Sequence, residues 1–230
     1  MKRLLFILLV NCISKLGYAQ NYEEMRHEMV REQIQNRGIY HKATLNAIRK
    51  VSRHLFVPPE FQSQAYSDYP LLIGHHQTIS QPYMVAYMTQ LLQPKPGHRI
   101  LEVGTGSGYQ AAVLAEIVDK VYTIEIVKDL GLNAKNLLHK LGYHNVEVII
   151  DDGYQGLASM APFDGIIVTA AAEQIPPPLI KQLKEGGRMV IPIGSPSTVQ
   201  TLMLVIKKNG KITKRELSPV RFVPFTRAKD

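Results

Sequence analysis

Cysteine is nearly missing from this 230-residue chain: there is one, Cys12, and there is no tryptophan. Cys12 falls inside an N-terminal stretch that reads as a removable leader. The mature chain is therefore expected to have no cysteine, which excludes structural disulfides, a thiolate nucleophile and cysteine-built metal sites from its body. Outside that leader no segment approaches the roughly 20 consecutive apolar residues of a membrane-spanning helix. Internal repeats and low-complexity stretches are lacking as well.

The leader is residues 1–19. Met1-Lys2-Arg3 is a basic start, Leu4 to Val10 is apolar, and Gly17-Tyr18-Ala19 is a small-x-small cleavage site before Gln20. That pattern predicts a signal peptide, an exported (periplasmic or secreted) protein and no stable membrane insertion after cleavage. The alternative is a cytoplasmic protein with an apolar N-terminal helix. Asn11 before Cys12 fits a lipobox poorly. The remaining residues, 20–230, are expected to form one domain, and 45% apolar content suits a real core.

The formal charge of +8 is unevenly spread. Residues 1–19 carry three basic residues and no acid, and residues 207–230 carry eight basic and two acidic residues. The body between them is close to neutral. A basic tail could attract nucleic acid, but lysines along a terminal strand equally serve to block edge-to-edge pairing. The latter is the simpler expectation, and no nucleic-acid partner is expected.

One stretch organises the chain: Arg99-Ile100-Leu101-Glu102-Val103-Gly104-Thr105-Gly106-Ser107-Gly108-Tyr109-Gln110. A β-rich run meets three alternating glycines and then an Ala/Leu-rich helical run, 111–118. Strand, glycine turn and helix N-terminus in that order predict a nucleotide crevice, where Gly104, Gly106 and Gly108 let the backbone turn tightly and let a ligand approach. The helix start is expected to offer unpaired N–H groups. The next strand, Val121 to Ile124, ends in Glu125, about 20 residues after the first glycine, where a carboxylate can take two ribose hydroxyls. The spelling G-x-G-x-G lacks a pyrophosphate clamp. This suits an adenosine ligand without phosphates, such as S-adenosylmethionine.

Helices are expected at 22–35, 42–51 and 83–92, forming a helical cap at about 22–92. A polar loop at 69–82 carries His75 and His76, which are candidates to line an entrance but lack the ligand set of a metal site. Beyond the glycine turn strands and helices alternate: a helix at 127–140, a strand at 146–150, a short helix at 154–159, a strand at 163–169, a helix at 177–184 and a strand at 188–193. A hairpin of strands 199–207 and 211–220 turns at Asn209-Gly210. The alternation predicts an α/β fold with a doubly wound, mainly parallel sheet, an N-terminal helical extension and a C-terminal antiparallel hairpin.

Gln77-Thr78-Ile79-Ser80-Gln81-Pro82-Tyr83-Met84-Val85-Ala86 resembles the signature loop of the protein-L-isoaspartate O-methyltransferases. The stretch Leu101 to Gln110, the run Ala161 to Ala171, Glu185-Gly186-Gly187-Arg188 and Val220-Arg221-Phe222-Val223-Pro224 resemble them too. The likeness covers about residues 24–226. The glycine turn is common among methyltransferases, whereas the Gln-Thr-Ile-Ser-Gln-Pro loop is far more specific.

The resemblance implies a Rossmann-like class I methyltransferase of bacterial type. Its donor would be S-adenosylmethionine, and its partners isoaspartyl-containing (and D-aspartyl) proteins and peptides, acted on as a monomer. The methyl ester then closes to a succinimide that reopens partly to aspartate. The resemblance also implies Ser80 as the catalytic position, with Thr78, Ile79 and Ser80 bordering the cofactor, Glu125 as the ribose acid and Asp152 as the acid near the adenine; no metal is implied. Asp151 stands where the family often has glycine, and its extra carboxylate is expected to bear on adenine binding. An amino-directed nucleic-acid methyltransferase would carry an acid or amide and then Pro-Pro-aromatic after the fourth strand, where this chain has Thr169-Ala170-Ala171-Ala172.

Overall fold

The computed structural model describes residues 21–195 and 197–228. The predicted leader, with Cys12, lies outside them. In chain order, α1 (residues 21–28) widens into a π turn at Met29–Ile34, tightens at Gln35–Arg37 and ends at Gly38, whose φ is 89°. Next come α2 (Lys42–Lys50), β1 (Leu71–Gly74), β2 (Gln77–Ile79) and α3 (Pro82–Leu92). The sheet region holds β3 (Arg99–Val103), α4 (Tyr109–Ala115), β4 (Lys120–Glu125), α5 (Lys128–Lys140), β5 (Val146–Ile150), β6 (Phe163–Val168), α6 (Pro177–Gln182), β7 (Leu183–Ile193), β8 (Gln200–Lys208) and β9 (Lys211–Val220).

The main sheet has seven strands in the order β5-β4-β3-β6-β7-β8-β9. The first five are mutually parallel, and β8 and β9 add on antiparallel. Parallel strands covered on both faces must be apolar on both. In β3, Ile100 enters the core on the α3 and α4 side, while Leu101 and Val103 enter the core on the opposite side. By alternation, Glu102 shares the face of Ile100. Residues 21–69 build on α3 and α4: Arg53, fully buried, donates from Nε to the Ala65 carbonyl at 2.7 Å, and its guanidinium lies 4.9 Å from the centre of the Tyr109 ring.

Three local expectations differ from the structure. The short helix at 154–159 is two tight turns, Gly153–Gln155 and Ala158–Met160. The helix after β6 stops at Gln182, and the following strand already begins at Leu183, opposite Phe163; pairing resumes at Gly165–Arg188, so the Gly186-Gly187 turn is an excursion within β7. Residues 69–82, expected as loop, contain the β1–β2 hairpin, with Leu71 opposite Ile79 and Leu72 opposite Thr78. Its turn is Gly74, His75 and His76, all left-handed at φ 93°, 50° and 57°. Two histidines there hide a turn that Asn-Gly would have announced. Asn209-Gly210 does announce the β8–β9 turn, at φ 53° and 70°.

Left-handed histidines carry strain that asparagine and glycine relieve. The double substitution His75→Asn, His76→Gly is expected to stabilise the fold by about 1 kcal/mol. Thermal denaturation should then show a midpoint raised by roughly 2–4 °C. An unchanged midpoint would mean that the hairpin opens before the cooperative unit melts.

Candidate active site

The strand order reverses at β3, which has β4 on one side and β6 on the other. A crevice opens at such a switch point, outside the carboxyl ends of the strands. Gly104 follows β3, Glu125 ends β4 and Thr169 follows β6, so residues distant in sequence meet there. Gly104, at φ 99°, leaves no room for a side chain: a Cβ would collide with Thr169 Oγ1. The Thr169 hydroxyl lies 2.7 Å from the Gly104 carbonyl oxygen and 3.1 Å from that of Val103.

The glycine turn spends its own amides. The N–H groups of Gly104 and Thr105 donate to the Ile124 carbonyl, and that of Gly108 donates to Thr105. Gly106 N–H donates to Glu125 Oε2 at 2.8 Å, while Glu125 Oε1 accepts from Val127 N–H at 2.9 Å. The amides of Gly104, Thr105, Gly106 and Gly108 are thus paired within the protein, whereas the unpaired groups expected at the helix start would be those of the first residues of α4. Those four amides are not available to a ligand, and Glu125 keeps lone pairs for hydroxyl donors.

Three adjoining cavities meet here, and Thr78 and Thr169 line all three. One contains Gly104, Gly106, Glu125, Gly153 and the C-terminal residues Val223 to Thr226. A second contains Ser80, Gln81, Met84 and Arg221. A third, between them, contains Ile79, Ser80, Glu102, Gly104 and Gly106. The structure thus brings together Thr78, Ile79, Ser80, Gly104, Gly106 and Glu125. Gly108 lies at the start of α4, where a Cβ would meet Leu138 of α5 at 3.1 Å. His75 and His76 sit exposed at the hairpin tip, with His75 Nε2 3.7 Å from Asp129 Oδ2, and line none of the three cavities. The hairpin reaches the site through Ile73, whose Cδ1 is 3.3 Å from where a Gly106 Cβ would be.

Asp152 is engaged by the C-terminal segment. Its Oδ2 accepts from Arg227 Nε at 2.8 Å and from Ala228 N–H at 3.1 Å, and Oδ1 accepts from Tyr154 N–H. Burial by itself would raise the Asp152 carboxyl, but these donors outweigh it and hold the group below the usual carboxylate range. Arg227 also lies 3.8 Å from the centre of the Tyr154 ring. The segment is seated by Ala171, whose N–H donates to Val223 and whose carbonyl accepts from Phe225, both at 2.8 Å. Asp151 is exposed and turns its carboxylate to the Asp152 N–H at 2.7 Å.

Sequence reasoning missed two things. One is this C-terminal segment as a cavity wall; Val220 to Pro224 matched a family stretch, but nothing local says that it returns to the glycine turn. The other is Glu102. It is fully buried, and neither carboxylate oxygen has a hydrogen-bond partner among the described residues. Burial pushes its pKa up to about 8; the nearby Thr123 hydroxyl opposes this, and the Glu125 carboxylate adds to it. A charged residue in the middle of the apolar run Ile100 to Val103 was the available signal.

A family model for the protein-L-isoaspartate(D-aspartate) O-methyltransferases matches residues 24–230. The chain belongs to this family. It is 54% identical over 226 residues to a protein-L-isoaspartate O-methyltransferase of Opitutus terrae, covering 98% of this chain and 97% of the relative. To protein-L-isoaspartate O-methyltransferase 1 of Nitrosospira multiformis it is 52% identical, covering 95% and 94%. A protein-L-isoaspartate O-methyltransferase (PCMT) of Plasmodium falciparum, solved in complex with S-adenosyl-L-homocysteine, superposes with a TM-score of 0.76 at 29% identity over 90% of this chain and 99% of that one. Another solved protein-L-isoaspartate O-methyltransferase gives 0.78 at 28% identity over 86% of this chain; the match spans 65% of that longer chain.

Within this family member, Glu102 makes stability depend on pH. Unfolded, the carboxyl titrates near 4.5; folded, it titrates near 8. Between those values the folded state holds a proton that the unfolded state has lost, so stability falls as pH rises through the window. Glu102→Gln removes that slope. Thermal denaturation from pH 5 to 8 should show the variant melting above the wild type by a margin that widens with pH, with each kcal/mol worth about 2–4 °C.

Proposed function

We infer that this chain is an S-adenosylmethionine-dependent carboxyl methyltransferase. Its acceptor is the carboxylate of L-isoaspartyl residues, and of D-aspartyl residues, in damaged proteins and peptides, and esterification starts their repair through a succinimide. One observation carries this reading: the segment Gln77–Ala86 puts Ser80 in the lining of both the cavity that holds Gly104 and Gly106 and the second cavity that holds Arg221. A donor and a protein acceptor would meet there.

The residues fit the donor. Most glycine-turn amides are paired within the protein, and buried Glu102, whose two oxygens have no partner among the described residues, would suit a cationic group by giving up its proton when that group binds. Glu125 would take ribose hydroxyls, Glu102 the ammonium end, and Thr78, Ile79, Ser80, Gly104 and Gly106 the body of the ligand, with Asp152 beside the adenine end. When bound, S-adenosylmethionine supplies a methyl group on a positively charged sulfonium. The acceptor carboxylate is already ionised at neutral pH, so no residue has to remove a proton. Ser80 then has an orienting task, donating a hydrogen bond to one carboxylate oxygen and aiming the other at the methyl group. The apolar walls, Met84, Val223 and Phe225 among them, exclude water. This favours the partly neutralised transition state over separated charges.

The test offers purified residues 20–230, with labelled donor, an isoaspartyl peptide and its aspartyl twin. Base-labile label is expected on the isoaspartyl peptide alone, and label on neither would sink the reading. Ser80→Ala should lower turnover by roughly tenfold to a hundredfold, the worth of one hydrogen bond to a charged group, while donor affinity measured by calorimetry stays near that of the wild type. Wild-type turnover in that variant would remove Ser80 from the chemistry.

The leader pattern of residues 1–19 supports a further proposal, export with cleavage after Ala19. N-terminal sequencing of the cell-associated and exported protein should find a start at Gln20 outside the cytoplasm. A Met1 start confined to the cytoplasm would overturn it.

A further inference from the structure

The cavities at the switch point differ in the sign of their charge. On the glycine-turn side the ionisable lining residues are Glu125 and Glu102, both acidic, with Glu102 holding its proton at neutral pH. In the second cavity, which Ser80 also lines, the one charged lining residue is Arg221. Acidic residues line one half of the site and a single arginine lines the other.

Arg221 is presented in an unusual way. Val220, just before it, pairs with Gln200 at the end of β9. Phe222, just after it, donates its N–H to Gln200 Oε1 at 2.9 Å. Gln200 is buried and is itself fixed, donating from Nε2 to the carbonyls of Ser195 and Thr198. One position further, the Val223 carbonyl accepts from Ala171. The backbone is therefore pinned on both sides of Arg221. The guanidinium is exposed and, among the described residues, has neither a hydrogen bond nor an ion pair, whereas Arg227 ends on Asp152 and Arg99 on the Met160 carbonyl at 2.6 Å. A fixed backbone and a free fork-shaped cation, on a residue that lines the same cavity as Ser80, match a carboxylate ligand in charge and shape.

We propose that Arg221 captures the acceptor's carboxylate and so makes the second cavity selective for an anionic acceptor. This deepens, and rests on, the carboxyl-methylation reading above. In the transfer, a carboxylate oxygen forms a bond to the methyl carbon, the carbon–sulfur bond breaks with its electron pair staying on sulfur, and no proton moves. The acceptor enters as an anion and leaves as a neutral ester. Its charge is already falling at the transition state, so a cation beside it stabilises the bound acceptor at least as much as the transition state. Arg221 therefore acts on binding rather than on the chemical step, and its hold lapses when the ester forms.

Steady-state kinetics on the isoaspartyl peptide would compare wild type, Arg221→Lys and Arg221→Met, the last keeping an apolar stem of similar reach. The methionine variant should raise KM roughly tenfold with kcat unchanged or higher, and lysine should fall between, having the charge but not the fork. Added salt should raise KM of the wild type and leave that of the methionine variant nearly flat. Donor affinity by calorimetry should be the same in all three, and the synthetic methyl ester of the peptide should inhibit all three alike. An unchanged KM, or a fall in kcat at constant KM, in the presence of wild-type turnover would overturn the role of Arg221 alone. No wild-type turnover on this peptide would overturn the carboxyl-methylation reading itself.

Discussion

The bond from Gly106 N–H to the Glu125 carboxylate, together with the Gly104 and Thr105 amides on the Ile124 carbonyl, ties the end of β4 to the turn after β3. Most of the site depends on that tie. It sets the curvature of the glycine turn, fixes the direction of the Glu125 side chain and pairs amides that a ligand would otherwise meet. Gly104 is then pressed so closely to Thr169 that only glycine fits, which links the ends of three neighbouring strands, β4, β3 and β6, in one constellation. A ligand meets a surface whose polar groups are already oriented, so little order has to be imposed on binding.

Against that preformed surface, Glu102 is a cost that the fold bears. A carboxyl with no partner among the described residues, buried beneath the glycine turn, works against the folded state increasingly from about pH 4.5 to pH 8 and in full above that. Stability surrendered at one buried group is a common accompaniment of a binding site. Here the surrendered group is one that would suit a cationic methyl donor on ionising, while the opposite charge, Arg221, lines the second cavity. The separation of signs across the site follows the chemistry of a sulfonium meeting a carboxylate.

Two peripheral segments complete the enclosure. The β1–β2 hairpin lays Ile73 over Gly106, carries Thr78 and Ile79 on its second strand and hands the chain directly to Ser80. On the other side Val223 to Thr226 form a wall, held at one end by Ala171 and at the other by the Arg227–Asp152 pair. Both come from outside the parallel core, one before it and one after it. The basic residues of β9 lie on the outermost strand of the sheet, where lysines and Pro219 discourage further pairing.

Much of this is written locally in the sequence. Alternating glycines after an apolar run, Glu125 at the end of the next strand, Asn209-Gly210 between two strand-like runs and the Gln-Thr-Ile-Ser-Gln-Pro loop each carry a signal within a dozen residues, because turn conformation, strand period and helix period are short-range properties. These determined the fold class, the order of elements, the family and most of the candidate residues. The β1–β2 hairpin was not legible, since His75 and His76 adopt a backbone conformation that their side chains do not favour and that neighbouring contacts enforce. The convergence of Glu102, Thr169, Arg221 and Val223 to Thr226 on one crevice was decided only by the tertiary structure. These residues lie up to about 120 positions apart, and burial, unpaired charge and the sharing of a cavity are properties of neighbours in space, which no local pattern encodes.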